Sequence, residues 1–260
     1  MNVIDLDNNH LQTYLCCLED WSEEMKEAGD HKACWYEKYK NRGLRVKIAV
    51  GDNGEACGMV QYIPIEESFV QGNDLYIILC IWVHGYKEGI GNYQGSGIGK
   101  ALLHEAELDA KQRGAKGMAA WGISLPFWMR ASWFKKQGYK KADRDSISLL
   151  VWKPFVNDAV QPTWVKQKKT PDINPGKVTV TGFLNGWCPA QNIVYERAKR
   201  ASAEFGDRVI FETIDTSNHD SFIEWGISDA VFIDNKKVNS GPPPSYKKIK
   251  ALIAKKVRKL

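Results

Sequence analysis

The chain has no apolar run approaching the roughly 20 residues a membrane-spanning helix needs. The longest, IILCIWV, stops at seven. It has no C-x-x-C pair. Its six cysteines, Cys16, Cys17, Cys34, Cys57, Cys80 and Cys188, show no disulfide-framework spacing, which argues against a small secreted scaffold and for reduced thiols. The opening MNVIDLDNNHL is acidic and polar, unlike a signal peptide, so a cytoplasmic protein is expected. Cys16, Cys17, His31 and Cys34 lack paired metal-ligand spacing, so no metal is expected. A composition 43% hydrophobic and 26% charged is that of a soluble globular protein rather than a disordered one. A length of 260 residues suits about two domains.

Charge is uneven. Residues 1–155 carry 19 Lys+Arg against 20 Asp+Glu, and the remainder 17 against 11. Much of that excess lies in SYKKIKALIAKKVRKL, where Ile249, Leu252, Ile253 and Val257 predict a helix with a lysine-rich outer face. A solvated terminal helix is favoured over nucleic-acid binding, because the aromatics or recognition motif that binding would want are missing.

The stretch FVNDAVQPTWVKQKKTPDINPGK, about 155–177, has three prolines and no apolar period, which predicts a linker. Before it, RVKIAV and CGMVQYIP flank a turn and read as a hairpin. DLYIILCIWVH (74–84) reads as a strand buried on both faces. Ile98, Leu102, Ala106 and Ala110 then repeat at helical spacing up to Gly114. KGMAAWGI predicts a strand, PFWMRASWFKKQ a short helix and SISLLVWKPF the closing strand. After the linker come KVTVTGFL (strand), a helix following NGWCPAQN, RVIFETID (strand), HDSFIEWG (short helix), DAVFID (strand) and the basic helix. The expected class is α/β: a mixed sheet with flanking helices over 1–155, a linker over 156–176 and a smaller α/β domain over 177–260.

NYQGSGIGKALL, at the strand-to-helix junction, is the part of the chain richest in chemistry. Backbone N–H groups at a helix start attract anions, so a phosphate is expected there. A Walker A loop fails: Ala101 follows Gly99-Lys100, so no hydroxyl is present for magnesium, and Gln94 stands where the first glycine belongs. A dinucleotide fingerprint fails too, since the glycines run G-x-G-x-G. The remaining pattern, Gln94-x-x-Gly97-x-Gly99 between a long strand and a helix, resembles the pyrophosphate loop of the GNAT superfamily of N-acetyltransferases. The resemblance extends over about 1–155 and includes ASWFKKQGY, similar to that family's later helix.

The resemblance implies acetyl-CoA as cosubstrate. Gln94, Gly95, Ser96, Gly97, Ile98, Gly99 and Lys100 would hold the pyrophosphate, and Trp82 and Val83 the pantetheine arm. It implies acetyl transfer to an amine of a small molecule or peptide; from run length and charge pattern no membrane or nucleic-acid partner is expected, and a homodimer is left open. The family's usual acid, a tyrosine, is replaced by Phe134, and the usual base positions hold Leu79 and Ile77. His84 and Glu66, with Glu67 beside it, are the candidates left for proton transfer, alongside loss of the amine proton to water. A strand-end histidine satisfied in the core is the bland alternative for His84. GYKEGIGN (85–92) reads as a lid or an insertion. Trp121, Phe127, Trp128, Met129, Trp133 and Phe134 are candidates for an aromatic acceptor pocket or, for Trp133 and Phe134 preferentially, core packing.

GWCPAQN places Cys188 at a helix start and resembles a thioredoxin-like domain of the YoaP type, with Gln191 in place of the resolving cysteine and no proline in Ser228-Asp229-Ala230. Cys188 is therefore a candidate monothiol. The domain's expected role is to shape, cover or supply the acceptor site. The competing reading is a thiol-based binding or redox module whose first domain binds CoA only as a ligand.

Overall fold

The computed structural model describes residues 1–125, 129–238 and 241–260. Pro126, Phe127 and Trp128, the expected start of a helix and two members of the aromatic group, lie outside them. In chain order the elements are β1 (Asn2–Asp5), α1 (Leu11–Leu15), α2 (Glu23–Lys26), α3 (His31–Tyr39), β2 (Arg45–Val50), β3 (Ala56–Pro64), β4 (Val70–Gln71), β5 (Leu75–Val83), α4 (Ile98–Gln112), β6 (Gly117–Ile123) and α5 (Ala131–Lys136). They continue with β7 (Lys140–Asp145), β8 (Ser148–Pro154), β9 (Thr163–Trp164), β10 (Val178–Leu184), α6 (Pro189–Ala203), β11 (Val209–Asp215), α7 (His219–Trp225), β12 (Ala230–Ile233), β13 (Lys236–Lys237) and α8 (Tyr246–Val257).

The chain forms two compact units. One comprises Met1–Trp21 and Lys38–Val165, the other Ser22–Glu37 and Lys166–Leu260. This differs from the expected division at 155 and 177. Residues 22–37 belong to the second unit because charge ties them there. Arg197 on α6 bonds Glu27 at 2.6 Å and Glu24 at 2.8 Å, and His31 Nε2 lies 2.7 Å from Glu196. The expected linker also contains β9, which pairs with β4 and stacks Trp164 on Phe69.

The first unit is a seven-stranded sheet in the order β1-β2-β3-β5-β6-β8-β7. Only β5 and β6 run parallel; the other neighbours are antiparallel. The apolar β5 lies centrally, which explains its nearly unbroken hydrophobicity. The strand β7, KKADRD, was not legible because it has no apolar alternation. It is an edge strand, where charge discourages further pairing. On one face, Tyr62, Ile78, Met118, Ala120 and Val151 pack against Ile98, Leu102, Ala106 and Ala110 of α4 and Phe134 of α5. Strand alternation therefore turns Gln61, Cys80, Trp82 and Trp121 to the opposite face.

In the second unit the order is β11-β10-β12-β13, with β10 and β11 parallel and both remaining pairings antiparallel. The helices α6 and α8 cover one face through Val194, Ala198, Ile249, Ile253 and Val257. Leu252, expected on the apolar stripe of α8, is instead 38% exposed. Two lysines of α8 are paired, Lys250 with Glu204 and Lys256 with Asp234, so its basic face is partly neutralised.

Candidate active site in the first unit

Pairing between β5 and β6 covers only Leu75–Ile78 with Gly117–Ala120. Beyond that point both strands continue, to Val83 and Ile123, without pairing to each other. The cause begins at a bulge: Gln61 faces Cys80 but Tyr62 faces Ile78, leaving Leu79 as the extra residue on β5. Among the described residues one side chain bridges the gap, Trp121 Nε1 donating to the Leu79 carbonyl at 2.8 Å. The β5–β3 ladder fixes what β5 offers to the gap. His84 N donates to Cys57 O, so Trp82 and Cys80, in the same phase, bond toward β3. The backbone groups of Ile81 and Val83 face the gap. Of the two residues expected to hold the arm, Val83 is so placed, whereas the main chain of Trp82 belongs to the β3 ladder.

The glycine loop stands beside the open end. Gly95 and Gly97 take left-handed φ values of 84° and 88°, which only glycine adopts cheaply, and Gly97 caps α4. Among the described residues nothing accepts a hydrogen bond from the amides of residues 95–99. Those donors lie at the positive end of a fifteen-residue helix, with the Lys100 side chain adjacent. Gly99 approaches the Trp133 ring and Val83, where a Cβ would lie 3.4 and 3.8 Å away, so loop and strand end meet. The Gln94 side chain folds over Gly85, and Ser96 Oγ donates to Tyr93 O at 2.5 Å. An anion-binding loop therefore adjoins a strand edge with unpaired backbone groups, which suits a ligand with a phosphate end and an amide-bearing arm.

The acetyltransferase (GNAT) family profile matches residues 9–139, just over half of the 260-residue chain. The chain belongs to the acetyltransferase (GNAT) family. As a GNAT member it is an acetyl-CoA-dependent N-acyltransferase. Similar solved structures include a PaiA N-acetyltransferase from Thermoplasma acidophilum in complex with coenzyme A, 19% identical over 60% of this chain and 100% of that one, TM-score 0.45. A ribosomal-protein-alanine N-acetyltransferase from Brucella melitensis is 16% identical over 60% of this chain and 100% of its own, TM-score 0.45. The GNAT family N-acetyltransferase YhbS from Escherichia coli, in complex with CoA, is 15% identical over 62% and 86% respectively, TM-score 0.45. No curated protein matches the chain.

Two GNAT catalytic candidates are displaced by the geometry. His84 is fully buried. Its Nδ1 lies 2.7 Å from the Gly91 carbonyl, and its Nε2 accepts from Trp21 Nε1 at 3.2 Å. A carbonyl only accepts and an indole only donates, so the ring carries its proton on Nδ1 and its one lone pair is taken. His84 thus fastens the 85–92 loop rather than serving as a base. Trp21 completes that fastening: its ring lies so close to Gly89 that a Cβ there would come within 2.4 Å. Glu66 follows Pro64, which pairs with Tyr76, whereas the open end of β5 is at Val83. That separation is seven residues of strand, roughly 23 Å. Its carboxylate accepts from Asp74 N at 2.7 Å, and Glu67 pairs with Arg42 at 2.8 Å, so both serve the far turn.

Phe134 is 1% exposed and packs its ring against Trp133 and Tyr139, in keeping with a core role. Among the described residues no group of three His, Cys, Asp or Glu is placed to hold a metal. His31 and Cys34 fall in the second unit, Cys16 and Cys17 in the first. Trp21, Phe69, Ile81 and Trp164 were not singled out by the sequence; only Trp121 was.

In the second unit Cys188 caps α6, its carbonyl accepting from Gln191 N and Asn192 N, with Pro189 opening the helix. Where a proline was sought, Asp229 does other work. It accepts from Trp187 Nε1 at 3.1 Å, Asn185 N at 3.1 Å and Ser228 Oγ at 2.7 Å. Burial pushes its carboxyl above the ordinary aspartate range, against the lowering effect of those bonds.

Proposed function

We propose that the first unit transfers the acetyl group of acetyl-CoA to an amine of a small molecule or peptide. The observation that carries this reading is the unpaired edge of β5 beyond Ile78, lying beside a helix start whose amides have no acceptor among the described residues. In this reading the amides of Gly95 to Gly99 and the Lys100 charge hold the pyrophosphate, and the main chain of Ile81 and Val83 holds the arm. The amine nitrogen attacks the thioester carbon; the C–N bond forms as the C–S bond breaks, and the electron pair leaves on sulfur. With Phe134 unable to donate and His84 committed to Trp21, the amine proton leaves through water and the thiolate is protonated from solvent. The amine reaches the gap from the face bearing Trp121, because α4 and α5 cover the other.

The second unit supports a thioredoxin-like reading through its parallel β10–β11 pair, its antiparallel β12 and β13, and Cys188 at the start of α6. With Gln191 replacing the second cysteine, that unit is assigned no internal disulfide chemistry. A thiol-based role for Cys188 remains the competing function. Calorimetric titration of acetyl-CoA tests the main reading. Micromolar binding that disappears in Gly97→Glu is expected. No binding to the intact chain overturns it.

A further inference from the structure

We infer that His84 and Trp21 are positioning residues for the coenzyme: together they hold the 85–94 segment in the shape that presents the pyrophosphate loop. This rests on the acetyltransferase reading of that loop and says what keeps it ready to bind. All four polar atoms of His84 are engaged, each by a different residue. Its N–H donates to Cys57 O of β3 at 3.0 Å, and its carbonyl accepts from Tyr93 N at 2.9 Å. Its Nδ1 donates to Gly91 O at 2.7 Å, and its Nε2 accepts from Trp21 Nε1 at 3.2 Å. His84 thus closes residues 84–93 into a ring and ties that ring to β3. Trp21 is 39% exposed, so burial alone does not explain its place; its indole covers Gly89 and completes the bonding of His84.

The glycine loop inherits its position from this ring. Gln94 lays its side chain over Gly85, in the space a Cβ would take, and its N–H donates to Asn92 Oδ1 at 2.9 Å. Ser96 Oγ donates back to Tyr93 O. The amides of residues 95–99 have no acceptor among the described residues, so their aim depends on residues 91–94, and those depend on His84. A cradle of amides binds an anion in proportion to the time it spends correctly formed. If an unfastened loop is correctly formed about a tenth of the time, the dissociation constant rises about tenfold. The pattern needed at position 84 is one donor and one acceptor. Leucine offers neither, whereas the carboxamide of glutamine offers both.

The test is calorimetric titration of acetyl-CoA into the full chain, with urea unfolding of each variant alongside. His84→Leu is expected to raise the dissociation constant about tenfold, and His84→Gln to keep it within about threefold of wild type. Trp21→Phe keeps a ring over Gly89 but has no N–H, and is expected to raise the constant about three- to fivefold. In the His84→Leu background the same change should add nothing, because the fastening is already gone. Wild-type affinity in His84→Leu or in Trp21→Phe, a loss in His84→Gln equal to that in His84→Leu, or additive effects of the paired substitutions would each overturn the inference. Should His84→Leu not fold, Trp21→Phe decides: the stated loss at an unchanged urea midpoint supports the inference, and wild-type affinity overturns it. Failure of acetyl-CoA to bind the intact chain would instead bring down the acetyltransferase reading itself.

Discussion

The two units each carry a strand running through a turn into a fifteen-residue helix, β5 into α4 and β10 into α6, yet the junctions differ in what they leave free. β10 pairs with its parallel neighbour β11 over all seven residues from Val178 to Leu184. β5 pairs with its parallel neighbour β6 over four and then stands open. The helix in the open case starts from Gly97, with bare amides around it. In the closed case it starts from Cys188 and Pro189, beside a knot formed by Asp229, Trp187 and Asn185. A helix dipole is present in both, so the dipole alone does not make a binding site. What distinguishes the first junction is a sheet edge left unpaired at the same place, so that one ligand can satisfy the amides and the strand together.

Filling the bare junction should have the largest effect. Gly97→Glu puts a side chain on a backbone that disfavours one and a carboxylate where an anion is to bind, and calorimetry should show acetyl-CoA affinity falling by about a hundredfold or more. Stripping the closed unit comes next. Arg197→Ala removes the buried partner of Glu24 and leaves Glu27 with Arg200 alone, and should cost about 2 kcal/mol in urea unfolding. The bonds from Arg197 and Arg200 hold Glu27 below the ordinary glutamate range. That contribution is therefore complete at neutral pH and disappears as pH falls through the depressed value, so wild type and variant should converge in acid. Trp121→Phe removes the hydrogen bond from Trp121 to Leu79 across the gap without emptying it; kcat/KM should fall about tenfold while acetyl-CoA still binds. The smallest effect is expected of Cys188→Ser, with turnover unchanged within about twofold. A large loss there would favour the thiol-based alternative.

The open junction was legible because its chemistry is local. Gly95, Gly97 and Gly99 announce a turn without side chains, and the apolar β5 announces a central strand. The bulge at Leu79 was not legible, since it arises from register with β3 and leaves no mark of composition. His84 misled for a related reason: a histidine next to a reactive strand looks available until Gly91 and Trp21 are seen to claim both ring nitrogens. Trp164 lay in proline-bearing sequence that reads as linker, and only its stack on Phe69 reveals a strand. The pairing of residues 22–37 with α6 is long-range charge matching, which periodicity does not detect.

That last pairing sets an order of events during synthesis. Glu27 leaves the ribosome 170 residues before Arg197, its partner. At about 5–20 residues per second the wait is roughly 10–35 s. The second unit therefore takes shape only when the tail of the chain comes back for a piece made near the start, and a truncation beginning at Lys166 would lack that piece from the outset.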